Sequence, residues 1–220
     1  MAPNISIAAM NEISDHIWPK SANRNNDGAL VISGLDVRDI SHKYPTPLFI
    51  LDETDLINRV QKYMKSFSKA SHGNKLTKET KIFYASKAFT SSLFIKLIVN
   101  EGMGVDVATE GELRVALAGG CKPENIVFHG NNKSVAEIEG AVSIGVKTIV
   151  MDSLFEIERV AAAARKHGVR QGVMLRLTPG IEAHTHEKIS TAHEDVKFGF
   201  SIASGAAWQA VQAVAEHPEL

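Results

Sequence analysis

Residues 81–113 read KIFYASKAFTSSLFIKLIVNEGMGVDVATEGEL and contain a strand, a helix and a second strand in succession. The apolar run at residues 81–88 predicts a short buried strand, and a second strand begins at Gly104. Between them, Ser91–Glu101 has the apolar spacing of an amphipathic helix. This order predicts two parallel strands joined by a helical crossover.

The same unit recurs along the chain. Further strand-like runs begin near Ile126, Thr148 and Gly172, so that successive strands start 22 to 24 residues apart. Leu154–His167 is a further amphipathic helix, and Gly205–Glu216 is a helical stretch after the fifth strand. Serine or threonine followed three residues later by glutamate predicts helix starts at Thr109, Ser134 and Ser153. Glycines predict the helix ends, at Gly102, Gly119, Gly145 and Gly168.

A period near 23 residues is typical of a (β/α)8 barrel. A doubly wound open sheet is the alternative, and the lack of a Gly-x-Gly-x-x-Gly pattern after the first strand disfavours its dinucleotide-binding form. Eight units need about 200–250 residues, whereas this chain has 220 residues and its first unit begins at residue 81. We therefore expect an α/β fold, a partial TIM barrel with about five of its eight units, in the N-terminal part of a longer protein.

The residues before the repeats suggest two further segments. Residues 1–30 are polar and unpatterned, and we expect a mobile tail. Residues 31–52 predict a contribution to a second, β-rich domain, with a strand over Thr46–Asp52, and we expect that domain to be completed by residues after Leu220. Residues 53–220 form the predicted incomplete barrel, which opens with a helix over Glu53–Ala70.

Composition excludes several classes of protein. The net charge is -1 with 22% charged residues, so no nucleic-acid-binding surface is expected. No apolar run approaches the ~20 residues of a membrane span, and the N-terminus lacks the pattern of a secretory signal. Cys121 is the single cysteine, which predicts a structural thiol in a reducing compartment, hence the cytoplasm.

Polar residues stand where the predicted strands end, which is where barrels of this kind place their active sites. The candidates are Lys87, Asp106, Glu112, His129, Asp152 and Arg176. Asp106 and Arg176 interrupt apolar strands, and a buried charge needs a partner; Lys87 or Arg176 would serve Asp106. Glu112 could instead complete a helix cap, and Asp152 could be a favourable charge at a helix N-terminus.

Lys87 is the most informative of these candidates. It follows an apolar strand, so we expect burial to favour its neutral, nucleophilic amine. Such an amine forms a Schiff base with an aldehyde, of which pyridoxal phosphate is the common biological example. The alternatives are a lysine whose head group reaches water and, for His129, a loop histidine with no role in a site.

Residues 184–199 are rich in metal-ligand side chains, but their spacing matches no standard zinc site. We therefore predict no metal and expect a polar loop over the active site.

Five stretches together resemble the diaminopimelate decarboxylases, pyridoxal-phosphate enzymes of the alanine-racemase-like group. They are Tyr84-Ala-Ser-Lys-Ala88, Gly104-Val-Asp-Val-Ala-Thr-Glu-Gly-Glu-Leu113, Val127-Phe-His-Gly-Asn-Asn-Lys-Ser134, Arg176-Leu-Thr-Pro-Gly-Ile-Glu182, and His184-Thr-His-Glu187 with Lys197-Phe-Gly199. The first two motifs are shared with ornithine and arginine decarboxylases, whereas the last is more specific to the diaminopimelate branch.

The resemblance implies that the full protein decarboxylates meso-2,6-diaminopimelate to L-lysine with pyridoxal 5'-phosphate, as a homodimer acting on a small amino acid. Lys87 would hold the cofactor covalently, Asp106 and Glu112 would lie beside it, and His129 and Arg176 would line the pocket. The family's glycine-rich phosphate loop and its Cys-Glu motif are expected after Leu220, so the 220-residue chain alone is expected to be inactive. A decarboxylase of ornithine, arginine or carboxynorspermidine, or a cofactor-binding barrel without catalysis, remain alternatives.

Overall fold

A computed structural model describes residues 12–14, 16–71, 80–180 and 198–220. The chain divides into two compact units, one up to Lys69 and one from Ala70 onwards. The domain boundaries expected at residues 30 and 52 stay a prediction.

The first unit contains a small antiparallel sheet in the order β1-β2-β3 and two helices. Its elements are β1 (Asn23–Arg24), β2 (Leu30–Ile32), β3 (Leu35–Asp36), α1 (Val37–Lys43) and α2 (Glu53–Ser71). The predicted helix after residue 52 is confirmed as α2. It begins where the Asp52 side chain accepts a hydrogen bond from the Asp55 backbone N–H at 3.0 Å, satisfying a free donor of the first turn.

The local structure of the first unit differs from the sequence patterns at two places. Asn23–Arg24 form a strand within the stretch predicted to be an unpatterned tail, because they pair with Leu30–Ile32 across a turn. Thr46–Asp52 is not a strand, although its apolar sequence resembles one. A strand needs a neighbour for its backbone groups, and no described strand pairs with Thr46–Asp52, where Phe49 is 95% exposed.

The second unit consists of alternating strands and helices. Its elements are β4 (Phe83–Ala85), α3 (Ser92–Asn100), β5 (Gly104–Val107), α4 (Glu110–Ala118), β6 (Ile126–Phe128), α5 (Val135–Ser143), β7 (Thr148–Met151), α6 (Leu154–His167), β8 (Gly172–Leu175), β9 (Leu177–Thr178), β10 (Phe200–Ser201) and α7 (Ala206–Ala215). Short 3-10 turns lie at Ser86–Ala88 and Pro123–Asn125. The five predicted strands and the helices between them are confirmed.

The strand order distinguishes the barrel from its alternative. Strands β4 to β8 form one parallel sheet in which each strand pairs with the next along the chain. A doubly wound sheet reverses direction at a switch point, whereas this sheet proceeds in one direction, as a barrel does. Its core is apolar, with Val105, Val107, Phe128 and Ile149 fully buried. The partial (β/α)8 barrel is therefore confirmed.

The helix caps refine the sequence patterns. Ser134 and Glu137 form the complete reciprocal capping box that their spacing predicts. Thr109 and Ser153 also cap their helices, but the glutamates three residues later direct their carboxylates elsewhere. The predicted helix end at Gly119 has right-handed backbone angles, and the left-handed turn falls one residue later, at Gly120.

Among the residues described, no helix combines the length and apolarity that crossing a bilayer requires. Within the same residues, no group of three histidine, cysteine, aspartate or glutamate side chains could hold a metal ion. Most of the predicted polar loop, residues 184–197, lies outside the described residues.

Candidate active site

A cleft of about 310 Å³ opens at the carboxyl ends of the barrel strands. Its lining includes all five residues that the sequence assigned to a cofactor site, which are Lys87, Asp106, Glu112, His129 and Arg176. Ala85, Ala108, Gly130, Asn131 and Phe198 complete the wall. The five candidates come from four different strand ends, so their meeting at one cleft follows from the parallel order of the sheet. Their individual roles stay predictions.

Lys87 lies in the 3-10 turn that directly follows β4. The expected burial of this lysine is wrong, because its side chain is exposed at the cleft. The reason is that β4 pairs on one side only in the described sheet, with β5, and the turn carries Lys87 out of the sheet. Among the described residues, its amine has no hydrogen-bond or ion-pair partner. It is therefore accessible at the cleft.

Glu112 fixes the turn that carries Lys87. Its Oε2 atom accepts hydrogen bonds from the Ser86 hydroxyl at 2.7 Å and from the Ala108 backbone N–H at 2.7 Å. Ser86 is 1% exposed, so this hydrogen bond is shielded from water. The carboxylate thus ties β5 to the lysine turn, which explains why it does not close a capping box with Thr109.

Asp106 and His129 form a pair on the cleft wall. The Asp106 Oδ2 and His129 Nδ1 atoms are 3.4 Å apart, so the partner of Asp106 is His129 and not Lys87 or Arg176. The other polar atoms, Asp106 Oδ1 and His129 Nε2, are buried and have no hydrogen-bond partner within the part of the chain that the structure describes. A buried polar atom without a partner costs about 1–3 kcal/mol, so both atoms are suited to hold polar groups of a bound molecule.

Arg176 follows β8 and lies on the opposite side of the cleft from the lysine turn in strand order. Its Nη1 atom is 3.6 Å from Asp152 Oδ1, and its guanidinium lies 4.4 Å from the centre of the Phe198 ring. Asp152 Oδ2 also accepts a hydrogen bond from the Gly199 N–H at 3.2 Å. Asp152 is therefore the anion that pairs with Arg176. Besides lying at the start of α6, it links Arg176 to the backbone of Gly199.

Sequence reasoning missed a lysine behind the cleft. Lys133 is 2% exposed and pairs with Glu156, their Nζ and Oε1 atoms lying 2.9 Å apart. Burial lowers the pKa of Lys133, while the neighbouring Glu156 carboxylate opposes that shift. The only hint of a role for Lys133 in the sequence is its position in the motif after β6. Its partner Glu156 lies 23 residues further along the chain, at the start of α6.

These groups suit an aldehyde cofactor with polar ring substituents. Lys87 offers an unpaired amine for a carbonyl carbon, and the unpartnered atoms of Asp106 and His129 offer an acceptor and a ring nitrogen. The cleft can therefore attach, orient and exchange protons with such a molecule.

Residues 56–220 match the family described as "Pyridoxal-dependent decarboxylase, pyridoxal binding domain". The match includes every residue that lines the cleft.

Curated relatives carry the name diaminopimelate decarboxylase. The chain is 45% identical to the proteins of Mycobacterium tuberculosis and Mycobacterium bovis over 208 residues, which is 93% of this chain and 44% of theirs. It is 39% identical to the Bacillus methanolicus protein over 188 residues, 86% of this chain and 42% of that one. The chain spans less than half the length of the curated relatives it matches.

Solved structures agree in fold. The diaminopimelate decarboxylase of M. jannaschii, in complex with L-lysine, superposes with a TM-score of 0.82 at 28% identity, covering 91% of this chain and 46% of that one. The Helicobacter pylori enzyme complexed with L-lysine gives a TM-score of 0.72 at 26% identity, over 84% and 44%.

Proposed function

Since the chain belongs to the family of pyridoxal-dependent decarboxylases, we propose that the full-length protein converts meso-2,6-diaminopimelate into L-lysine and carbon dioxide. The observation that carries this proposal is the cleft, which is lined by Lys87 and by two buried polar atoms, Asp106 Oδ1 and His129 Nε2, all three without a partner among the described residues. The names of relatives support the substrate, since curated proteins 45% and 41% identical to this chain are called diaminopimelate decarboxylases.

The proposed cofactor is pyridoxal 5'-phosphate, which, when bound, supplies an electron sink for the electron pair left as carbon dioxide departs. Lys87 would carry the cofactor and, once displaced by the substrate amine, would hold a proton at Nζ beside the reacting carbon. Asp106 and His129 would bind polar groups of the cofactor through Oδ1 and Nε2.

Glu112 and Arg176 take different roles in this proposal. Glu112 orients Lys87 through Ser86 and holds the turn against β5. Arg176, anchored by Asp152 and stacked on Phe198, would present a positive charge to an anionic group of cofactor or substrate. We further propose that the protein works in the cytoplasm as a homodimer, which size-exclusion chromatography of the full-length protein can test.

A trapping experiment tests the cofactor assignment. The full-length protein is incubated with pyridoxal phosphate, reduced with borohydride and mapped by peptide mass spectrometry. We expect the pyridoxyl label on Lys87 and no label at this site in Lys87→Arg. A label confined to another lysine would contradict the assignment.

A substrate profile tests the reaction. Carbon dioxide release is measured with meso-diaminopimelate, ornithine, arginine and carboxynorspermidine at equal concentrations. We expect diaminopimelate to give the highest kcat/KM. Label on Lys87 without carbon dioxide from any of the four would identify a cofactor-binding barrel without catalysis.

A further inference from the structure

A buried ion pair lies directly behind the cleft. The Lys133 ammonium donates hydrogen bonds to the Gly130 carbonyl at 2.6 Å and the Val150 carbonyl at 2.7 Å, and its third partner is Glu156 Oε1 at 2.9 Å. These three partners use all three donors of an ammonium group. The lysine side chain is 0% exposed and the glutamate side chain 6% exposed. Lys133 thus has every polar requirement met inside the protein.

Glu156 extends this pair to a second loop. Its other oxygen, Oε2, accepts the Asp152 backbone N–H at 2.8 Å. The ion pair therefore joins the segment that follows β6, through Gly130, to the segment that follows β7, through Asp152.

Both segments carry residues of the cleft. Gly130 is the neighbour of His129 and lines the cleft itself. Its position leaves little freedom, because a Cβ atom there would be 2.6 Å from the Ala108 carbonyl oxygen. Asp152 in turn contacts Arg176 at 3.6 Å and the Gly199 N–H at 3.2 Å.

We propose that Lys133 and Glu156 are positioning residues of the cleft: the pair holds the main chain at Gly130 and Asp152, and through them fixes His129 and Arg176. Measurements of cofactor binding and of activity rest on the proposed function, whereas the contacts of the Lys133–Glu156 pair do not depend on it. Replacing a buried ion pair by apolar residues of similar size is often neutral for stability. Apolar residues cannot form hydrogen bonds with the Gly130 and Val150 carbonyls or the Asp152 N–H. We therefore expect the double replacement to impair the cleft more than it lowers the stability of the protein.

The test uses the full-length protein with Lys133→Met, Glu156→Leu and the double variant. Each single change leaves a buried charge without its partner, so we expect a large fall in thermal midpoint. The double variant should recover only part of it, because the backbone groups that the pair binds lose those hydrogen bonds. We expect the double variant still to bind pyridoxal phosphate about tenfold or more weakly and to lose about 10- to 100-fold in kcat/KM, since small misplacements of site groups have effects of this size. The matched control is Lys166→Met with Glu139→Leu, an exposed pair at 2.9 Å.

A readout without cofactor separates this proposal from the proposed function. In the cofactor-free protein, the imidazole NMR resonances of His129 should shift in the double variant and stay unchanged in the control. Unchanged resonances together with unchanged cofactor affinity would overturn the positioning role. If the unaltered protein neither binds pyridoxal phosphate nor releases carbon dioxide, the proposed function fails, and the His129 resonances still decide the positioning role.

Glu156→Gln keeps the test decisive if the double variant does not fold. Glutamine retains an acceptor for the Asp152 N–H but cannot neutralise Lys133, so we expect partial loss, about threefold or more in cofactor affinity, with displaced His129 resonances. Cofactor affinity and resonances equal to those of the unaltered protein would overturn the proposal.

Discussion

The turn at Lys87 and the pocket around Lys133 hold the same side chain in opposite circumstances. Lys87 is exposed at the cleft and has no partner among the described residues, whereas Lys133 is buried and has three. Both lie just beyond the carboxyl end of a barrel strand. The comparison teaches that burial alone does not make a lysine available to a ligand, because all three donors of the buried amine are used within the protein, whereas the exposed amine lies open at the cleft.

The largest expected effect is the loss of activity in Lys87→Ala. Removing a covalent attachment point should lower kcat/KM of the full-length protein by at least about 1,000-fold. The thermal midpoint of the cofactor-free protein should hardly change, because the Lys87 side chain is exposed and makes no hydrogen bond or ion pair with the described residues. Lys96→Ala, an exposed lysine on α3, is the control and should retain full activity. If the Lys87→Ala protein stays active, Lys87 is not the reactive lysine, and its contrast with Lys133 no longer bears on activity.

Lys133→Met is expected to produce the opposite result, a large loss of stability. Breaking a buried ion pair by removing one partner typically costs about 3–5 kcal/mol, and Glu156 would be left unpaired at 4% exposure. Urea unfolding of the full-length protein measures this change. Lys166→Met removes an exposed pair and should cost about 1 kcal/mol or less. Equal losses in the two variants would show that burial does not matter here.

Ser86→Ala sharpens the comparison at the reactive lysine. The change removes the 2.7 Å hydrogen bond to Glu112 while the Ala108 N–H bond remains. We expect a cost of about 1 kcal/mol in stability and a fall of about tenfold in kcat/KM, because Lys87 loses its orientation. Adding Glu112→Gln should cost less than the two separate effects combined, since the two residues act through one bond. Full additivity in steady-state kinetics would contradict this coupling.

The smallest expected effect is a change in the pH dependence of stability at Cys121. This residue is a third potential nucleophile, and it is buried and lies outside the cleft. Burial raises the pKa of the Cys121 thiol to about 11 from an ordinary value of 9.0. Between these values the unfolded chain releases the thiol proton while the folded chain keeps it, so the free energy of unfolding falls as pH rises from 9 to 11. Cys121→Ala should weaken this alkaline decline in pH-dependent urea unfolding. An identical pH slope in the variant would show that the thiol does not contribute.

The strands and helices of the barrel could be predicted because the sequence features that specify each of them lie close together along the chain. Each strand and helix of the barrel is specified by an apolar period and a cap within about 23 residues, and strand order then brings the predicted cleft residues together. The strand predicted at Thr46–Asp52 failed for the converse reason. Its apolar sequence satisfies the pattern, but strand formation depends on a pairing partner that the pattern does not contain.

The difference between local patterns and distant partners also explains which residues of the site could be predicted from the sequence. The charges that interrupt strands, such as Asp106 and Arg176, signal a site from sequence because they contradict their surroundings. Lys133 gives no such signal, since it lies in a polar stretch and its burial is created by Val150 and Glu156, which are 17 and 23 residues away. Partners of this kind, such as His129 for Asp106, become visible only when separate strand ends meet.

The absence of a side chain at Gly130 has a consequence for directed evolution of the cleft. At this position even a methyl group would meet the Ala108 carbonyl, so a mutant library that varies residue 130 should yield few folded clones. The adjacent Asn131 is exposed on the same wall and should tolerate many side chains. Anyone seeking to alter what this cleft accepts should therefore randomise codon 131 and leave codon 130 untouched.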